Sequence, residues 1–401
     1  MSLTGGGKAV SLLREVLMAI KNTFAVSLVL FCLIAALAAA QVYTVTDLGP
    51  VTPTAINKWG QVVGNYNGHA FMWTKTGGMQ DLGIIPDGTF SRAAAINDLG
   101  VVTGTADGPG TVISFDPGVQ NQNCSDLIQP FVRGPRNEMQ GLGTVGVPGL
   151  AYWNWCEVPF YATGINRFGQ VAGFTGVYSD YQWGFLWTSA EGMTLFGDGW
   201  PPTLGNGISK TGQMVGQNST YATYGFGHAT SWKSGVTTDL GTLGGGADSY
   251  SSAANGVNDR GKVVGWSTTA PISFGECSWG DGTGCPMHAV LWTRSGAIRD
   301  LGTLSGDTLS AASKVNFFGQ VIGSSGNSIV FEGEDSPEVI GRPFVWSERN
   351  RMRDLNTLIP PNSGWVLNSV ADINFWGQIV GQGTSNGQPS AFLLTPKVFH
   401  F

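Results

Sequence analysis

The chain is poor in charge and in histidine, and it lacks the short motifs that usually carry chemistry. Of its 401 residues only 12 % are charged and four are His. No G-x-S-x-G elbow, H-E-x-x-H pair, P-loop or dinucleotide fingerprint occurs in it, which removes the common signatures of acyl transfer, zinc proteolysis and nucleotide chemistry. A Lys-Thr-Gly triplet at 210–212 stands in a turn with no Ser-x-x-Lys partner. None of the five cysteines has C-x-x-C spacing, so zinc ribbons and thioredoxin-like redox sites are excluded. Asp281-Gly282-Thr283-Gly284 lacks the spaced carboxylates of a calcium loop. No metal or cofactor is expected.

Long apolar runs are also scarce. The one that exists, residues 24–37, is 14 residues of FAVSLVLFCLIAAL, with Lys21 before it and Ala38-Ala39-Ala40 after it. A basic flank, a short apolar core and small residues before Gln41 describe a secretory signal peptide cleaved near Ala40. The run is shorter than the roughly 20 residues that span a bilayer. The expected division is therefore a signal at 1–40, for which Met18 is the more ordinary start, and a single domain at 41–401. Residues 1–40 hold three Lys/Arg and one Glu, which leaves 18 basic against 26 acidic residues. That balance argues against nucleic acid or an anionic membrane as partner. Export leaves Cys124, Cys156, Cys277 and Cys285, an even set in an oxidising compartment, and disulfides are the expected reading.

What the chain has in quantity is glycine, 60 residues, together with 14 Trp and 21 Phe. Glycine among short β-branched and aromatic runs means tight turns between short strands. The runs repeat. Asn57-Lys58-Trp59-Gly60 recurs as the turns Asn97–Gly100, Asn166–Gly169, Ser209–Gly212, Asn258–Gly261, Asn316–Gly319 and Asn374–Gly377, each with an aliphatic residue before it. Each turn leads into a strand ending in glycine: QVVG, VVTG, QVAG, QMVG, KVVG, QVIG and QIVG. Third segments follow (HAFMW, PFVR, GFLW, HATSW, HAVLW, PFVW, AFLL), then fourth segments of the Met-x-Asp-Leu-Gly type.

Four short strands per unit at a period of about 40–70 residues point to a β-propeller. The seventh unit lacks its fourth strand, and an orphan of that type, Tyr43–Gly49, opens the domain. The count comes to seven fours, which predicts an all-β, seven-bladed propeller whose first strand pairs with 391–394 and closes the ring.

The pattern AINxxGQVVG…HAFxW…MxDLG resembles the extracellular HAF-repeat family over about residues 43–396. His69-Ala70-Phe71 carries the triplet intact, whereas 228–230 and 288–290 keep only His-Ala. The resemblance implies bacterial export and a β-rich repeat fold, and it implies no activity, cofactor or catalytic residue.

Recurrence around a ring argues for structure, since one active site needs one copy. His69, His228 and His288, and the repeated Asp47, Asp81, Asp239, Asp300 and Asp354, are accordingly read as structural, each His bonding a neighbouring blade. Alternation puts the Asn-x-x-Gly turns on one face. The long connections 105–129, 144–161, 266–287 and 324–341 fall on the other, where binding sites are usually carried. There Tyr152, Trp153 and Trp155 form an aromatic cluster, and Trp279 lies between Cys277 and Cys285. These rings are the candidate ligand-binding residues, with packing of the loop onto the ring as the alternative. Cys124 is placed to bridge Cys156, and Cys277 to bridge Cys285. The acidic Glu332-Glu334-Asp335-Glu338 segment reads as a solvated loop. The expected function is a monomeric, secreted binding scaffold for polysaccharide or protein. The alternatives are a propeller glycoside hydrolase or polysaccharide lyase, with carboxylates and Arg133 or Arg342 near the axis, and a structural surface component.

Overall fold

A computed structural model describes residues 42–114, 120–136, 138–147, 155–176, 182–196, 203–219, 227–245, 249–272, 286–331 and 337–397. The first repeat shows how a unit is made. Its strands Thr52–Ile56, Val62–Tyr66, His69–Thr74 and Gly78–Asp81 pair antiparallel in chain order. The Asn-x-x-Gly hairpin joins the first two, with Gly60 at φ 77°. First strands of successive sheets touch one another and line the axis. The other strands step outward.

The expectation of a seven-bladed propeller is corrected by the strand pairing: the propeller has eight sheets. One four-stranded sheet comes from each Asn-x-x-Gly unit. The eighth has three strands, Gly110–Ile113, Gln122–Cys124 and Thr144–Val145. It is built from the connections 105–129 and 144–161, which sequence reading left as loops because their short segments do not share the repeat pattern. Thr144–Val145 runs parallel to Gly110–Ile113, and a disulfide between Cys124 and Cys156 ties the sheet to the 3-10 turn Trp155–Glu157. Val112, Cys124 and Leu127 form its small core. The ring closes where Tyr43–Gly49 pairs antiparallel with Gln388–Pro396, Val45 opposite Leu394.

The glycine expected to end each second strand is instead its third residue, as Gly64 is within Val62–Tyr66, and it serves close approach rather than a turn. In the sixth unit a Cβ on Gly323 would collide with the Ala311 carbonyl oxygen and meet the Phe344 ring at 2.9 Å. Gly64 stands in the same way against Thr52 and Phe71, and Gly381 against Ser369 and Phe392. The phenylalanines are fully buried or nearly so. The Gly of the second strand and the Phe of the third are thus one packing unit, and the recurrence of both has a single cause.

Sheets are stitched to their neighbours by small polar residues. Ser91, Ser252 and Ser310 each accept the backbone N–H of the alanine after the third-strand His of the preceding sheet, and donate to a carbonyl at the end of that sheet's fourth strand. Every first strand carries a bulge. At several bulges the displaced side chain reaches a carbonyl of the next sheet, as Thr54 does to Ala93 at 3.0 Å and Asn255 to Ala312 at 3.0 Å.

Gly323→Ala is expected to cost about 3 kcal/mol, because neither the strand carbonyl nor the enclosed ring can retreat. Urea denaturation measures this, and an unchanged midpoint would contradict the packing account.

Candidate functional site

The built cavity of the molecule lies on the axis, at the face of the Asn-x-x-Gly turns. Its floor is a belt of buried asparagines. Asn57 accepts the backbone N–H groups of Trp59 and Gln61 on its Oδ1, which fixes the turn. Its Nδ2 donates to Gln61 Oε1 and, at 3.1 Å, to the Asn97 carbonyl of the next sheet. Asn97 passes the bond to Asn166, Asn258 to Asn316, Asn316 to Asn374, and Asn374 back to Asn57. Ser209 has no amide to donate. There Lys210 takes over: its backbone N–H donates to Asp259 Oδ1 at 2.9 Å, and its ammonium lies 3.1 Å from both Asp259 and Asp98. Burial works against that ammonium, but the two carboxylates outweigh it and hold the Lys210 pKa above the ordinary lysine value.

Above the belt the residue after each asparagine lines a funnel of about 190 Å³. On one side these are Lys58, Asp98, Arg167, Lys210 and Asp259; on the other they are Phe317 and Phe375. Phe317, Phe318, Phe375 and Trp376 make a continuous ring cluster with centroids 4.8–5.3 Å apart. Arg260 lies 4.2 Å over Phe317, Arg167 5.1 Å over Phe168 and Lys58 4.7 Å over Trp59. The next residue of each turn forms the rim. Among the described residues the exposed tryptophans and phenylalanines are Trp59 at 68 %, Phe168 at 70 % and Trp376 at 41 %, and all three occupy this rim position, as does Leu99 at 67 %.

Below the belt a second axial chamber of about 170 Å³ is walled by small residues, among them Ala55, Ala95, Gly164, Gly207 and Gly256. The equivalent positions in the last two units carry Lys314 and Asp372. The Asp372 carboxyl is enclosed and accepts the N–H groups of Ile56 and Ile373 at 2.9 and 2.8 Å. Burial pushes its pKa up, against the opposing pull of Lys314 and the two N–H groups.

The residues singled out from sequence fall elsewhere. Tyr152, Trp153, Trp279, Cys277, Cys285 and the signal segment 1–40 lie outside the described residues. Trp155 opens the turn Trp155–Glu157, and Cys124–Cys156 is bridged. His69, His228 and His288 bond Asp81, Asp239 and Asp300 at 2.8–3.0 Å. The partner is on the same sheet, not on a neighbouring blade as expected. In the sixth unit Arg342 replaces the His opposite Asp354, and in the last Ser390 bonds Asp47. Arg342 also pairs with Asp307, so it is part of a sheet-edge network and not of the axis. Arg133 ends the third strand of its sheet and does not line either axial cavity. Of the clustered acids, Glu338 is described and lines neither cavity, and Glu332, Glu334 and Asp335 lie outside the described residues. Among the described residues no His, Cys, Asp and Glu set is arranged to hold a metal, and no helix is long and apolar enough to cross a membrane.

Sequence reading passed over the axial site because it followed what recurs. The signal was the residue that does not recur inside the recurring turn: Lys, Asp, Arg, Lys, Asp, Phe, Phe down the chain.

No protein-family model matches the chain. No curated protein matches it either. Among solved structures it is similar to virginiamycin B lyase from Staphylococcus aureus, at 9 % identity and TM-score 0.47, over 88 % of this chain and 99 % of that one. It is similar also to a chain of the mitotic checkpoint complex (10 % identity, TM-score 0.42, 89 % and 93 % covered) and to Porphyromonas gingivalis dipeptidyl peptidase 4 (9 %, 0.40, 82 % and 50 %). The fold itself is a β-propeller on its own strand pairing.

Two predictions follow from the belt and the chamber. Ser209→Asn supplies the missing amide and should raise stability by about 0.5–1.5 kcal/mol, read as a higher urea midpoint; a lower midpoint would refute the belt as drawn. Between the ordinary aspartate pKa and the raised value of Asp372, the folded protein holds a proton that the unfolded chain has released. Stability should therefore fall as pH rises through that window. Asp372→Asn should flatten this slope in denaturation curves, and an unaltered slope would show that Asp372 is not its source.

Proposed function

We propose that the protein is an exported binding module that holds an extracellular polymer, polysaccharide or protein, against the face formed by its Asn-x-x-Gly turns. One observation carries the reading: the exposed tryptophans and phenylalanines of the described chain, Trp59, Phe168 and Trp376, each directly follow a funnel-lining residue in its turn, Lys58, Arg167 and Phe375. Rings this exposed at repeated turn tips add little to the propeller core. They are rigid and amphipathic, as residues that anchor a partner usually are. The charged and aromatic funnel beneath them supplies polar selection. Export is supported by the segment 21–40 and by the Cys124–Cys156 bridge, which belongs to an oxidising compartment.

A second surface has its own support. The three-stranded sheet and its disulfide anchor the described ends of the 144–161 connection, whose sequence includes Tyr152, Trp153 and Trp155. The two faces are separated by one experiment. The secreted protein is screened against extracellular polysaccharides and proteins, and the captured partner is titrated with variants. Trp59→Ala and Phe168→Ala should each weaken binding about tenfold, with melting temperature unchanged. If the Tyr152/Trp153/Trp155→Ala triple variant abolishes binding while the rim variants bind normally, the turn face is not the working one.

A further inference from the structure

The two ends of the propeller carry opposite charge. In an antiparallel four-stranded sheet the first and third turns emerge at one end and all other connections at the opposite end. At the turn end the hairpin tips bear Lys58, Arg167, Lys210 and Arg260, and the outer turns add Lys75, Lys233, Arg294 and Arg349. The acids at that end include Asp98, Asp259, Glu191 and Glu348. Asp98 and Asp259 are neutralised by Lys58 and Lys210, and Glu348 by Arg299. At the other end the fourth strands finish in Asp47, Asp81, Asp239, Asp300 and Asp354, joined by Asp87, Asp107 and Asp307. Of the cations there, Arg342 is held between Asp307 and Asp354.

Strands of five to seven residues separate the two ends by roughly 20 Å, beyond the Debye length of about 8 Å at physiological salt. A partner at the turn end therefore meets a basic surface, although the chain as a whole carries −6. The net-charge argument against nucleic acid and anionic membranes averages over both ends and does not describe this face by itself.

We propose that the partner of the turn face is an acidic polysaccharide, a chain bearing carboxylate or sulfate groups. The inference rests on the turn-face reading above and names its ligand. The guanidinium carbons of Arg167 and Arg260 lie 5.1 and 4.2 Å over the Phe168 and Phe317 rings. A guanidinium stacked in this way keeps its N–H edge free to grip a carboxylate or sulfate with two bonds. Trp59, whose indole N–H is fixed on the Asp98 carbonyl at 2.9 Å, presents its face for a sugar ring. Charged groups on one side of the funnel, with ring faces on the other side and on the rim, suit a polymer that carries both charge and apolar ring faces. A bilayer suits this face less well, because it would bury the Lys210–Asp98–Asp259 ion pairs away from water. The secretory segment and the disulfide place the chain where acidic polysaccharides occur and nucleic acid is scarce.

The test measures binding of the secreted protein to polygalacturonate, alginate and heparin. Dextran, double-stranded DNA and phosphatidylglycerol vesicles are the comparison probes. At least one acidic glycan should bind at least tenfold more tightly than every comparison probe. That affinity should fall at least tenfold between 50 and 500 mM salt. Arg167→Gln with Arg260→Gln should lower it about tenfold, while Asp87→Asn at the other end leaves it unchanged. Failure to bind any of the three acidic glycans overturns the proposal, as does tighter binding to DNA or vesicles. Equal, salt-independent binding to dextran that is still lost in Trp59→Ala overturns the acidic ligand and leaves the turn face standing. Acidic-glycan binding that survives Trp59→Ala and Phe168→Ala instead overturns the turn face itself.

Discussion

The structure depends on one repeated contact, the asparagine amide that fixes its own turn and then reaches the carbonyl of the next. Each such side chain spends its oxygen on two backbone N–H groups within the hairpin and its nitrogen on the neighbouring sheet. Turn geometry and ring assembly are therefore set by the same residue. Because the belt is buried, each amide lost leaves a carbonyl or an N–H pair unsatisfied, at about 1–3 kcal/mol per group. A unit cannot fold its turn without also preparing the contact for its neighbour, which is how short sheets with little core of their own become one ring.

The belt also explains where the variable chemistry sits. Its asparagine is fixed by hydrogen bonding and its glycine by positive φ, with Gly60 at 77° and Gly377 at 78°. The two residues between them point into the funnel and onto its rim, and some of them also bond across the ring, as Lys210 does to Asp98 and Asp259. Lys58, Asp98, Arg167, Lys210, Asp259, Phe317 and Phe375 can differ because the turn geometry is fixed by the residues on either side of them. Scaffold and site are interleaved within four residues, so the turn that looks most structural in the sequence also displays the most variable side chains toward the axis.

That interleaving decides how much was legible beforehand. The four-strand unit, the Asn turn and the pairing of Tyr43–Gly49 with the last sheet follow from patterns with local physical causes. The eighth sheet did not, because Gly110–Ile113 and Gln122–Cys124 are short, share no repeat residue and include a parallel contact that local sequence does not encode. The axial site was hidden by treating recurrence as a property of whole motifs. Lys314 and Asp372 show the same lesson one layer deeper. They stand where other units have alanine or glycine, and the difference is visible only once units are aligned position by position. Net charge, for a related reason, describes neither end: it sums two ends that are electrostatically separate.

The central claim is that the turn face, and not the long-loop face, is where this propeller meets its partner. Hydrogen–deuterium exchange of the protein, with and without the captured polymer, tests it most directly. The account predicts added protection at the hairpins 57–61, 166–170 and 374–378, with the connections 105–129 and 144–161 unchanged. Protection confined to those two connections, with the hairpins exchanging as in the free protein, would contradict it.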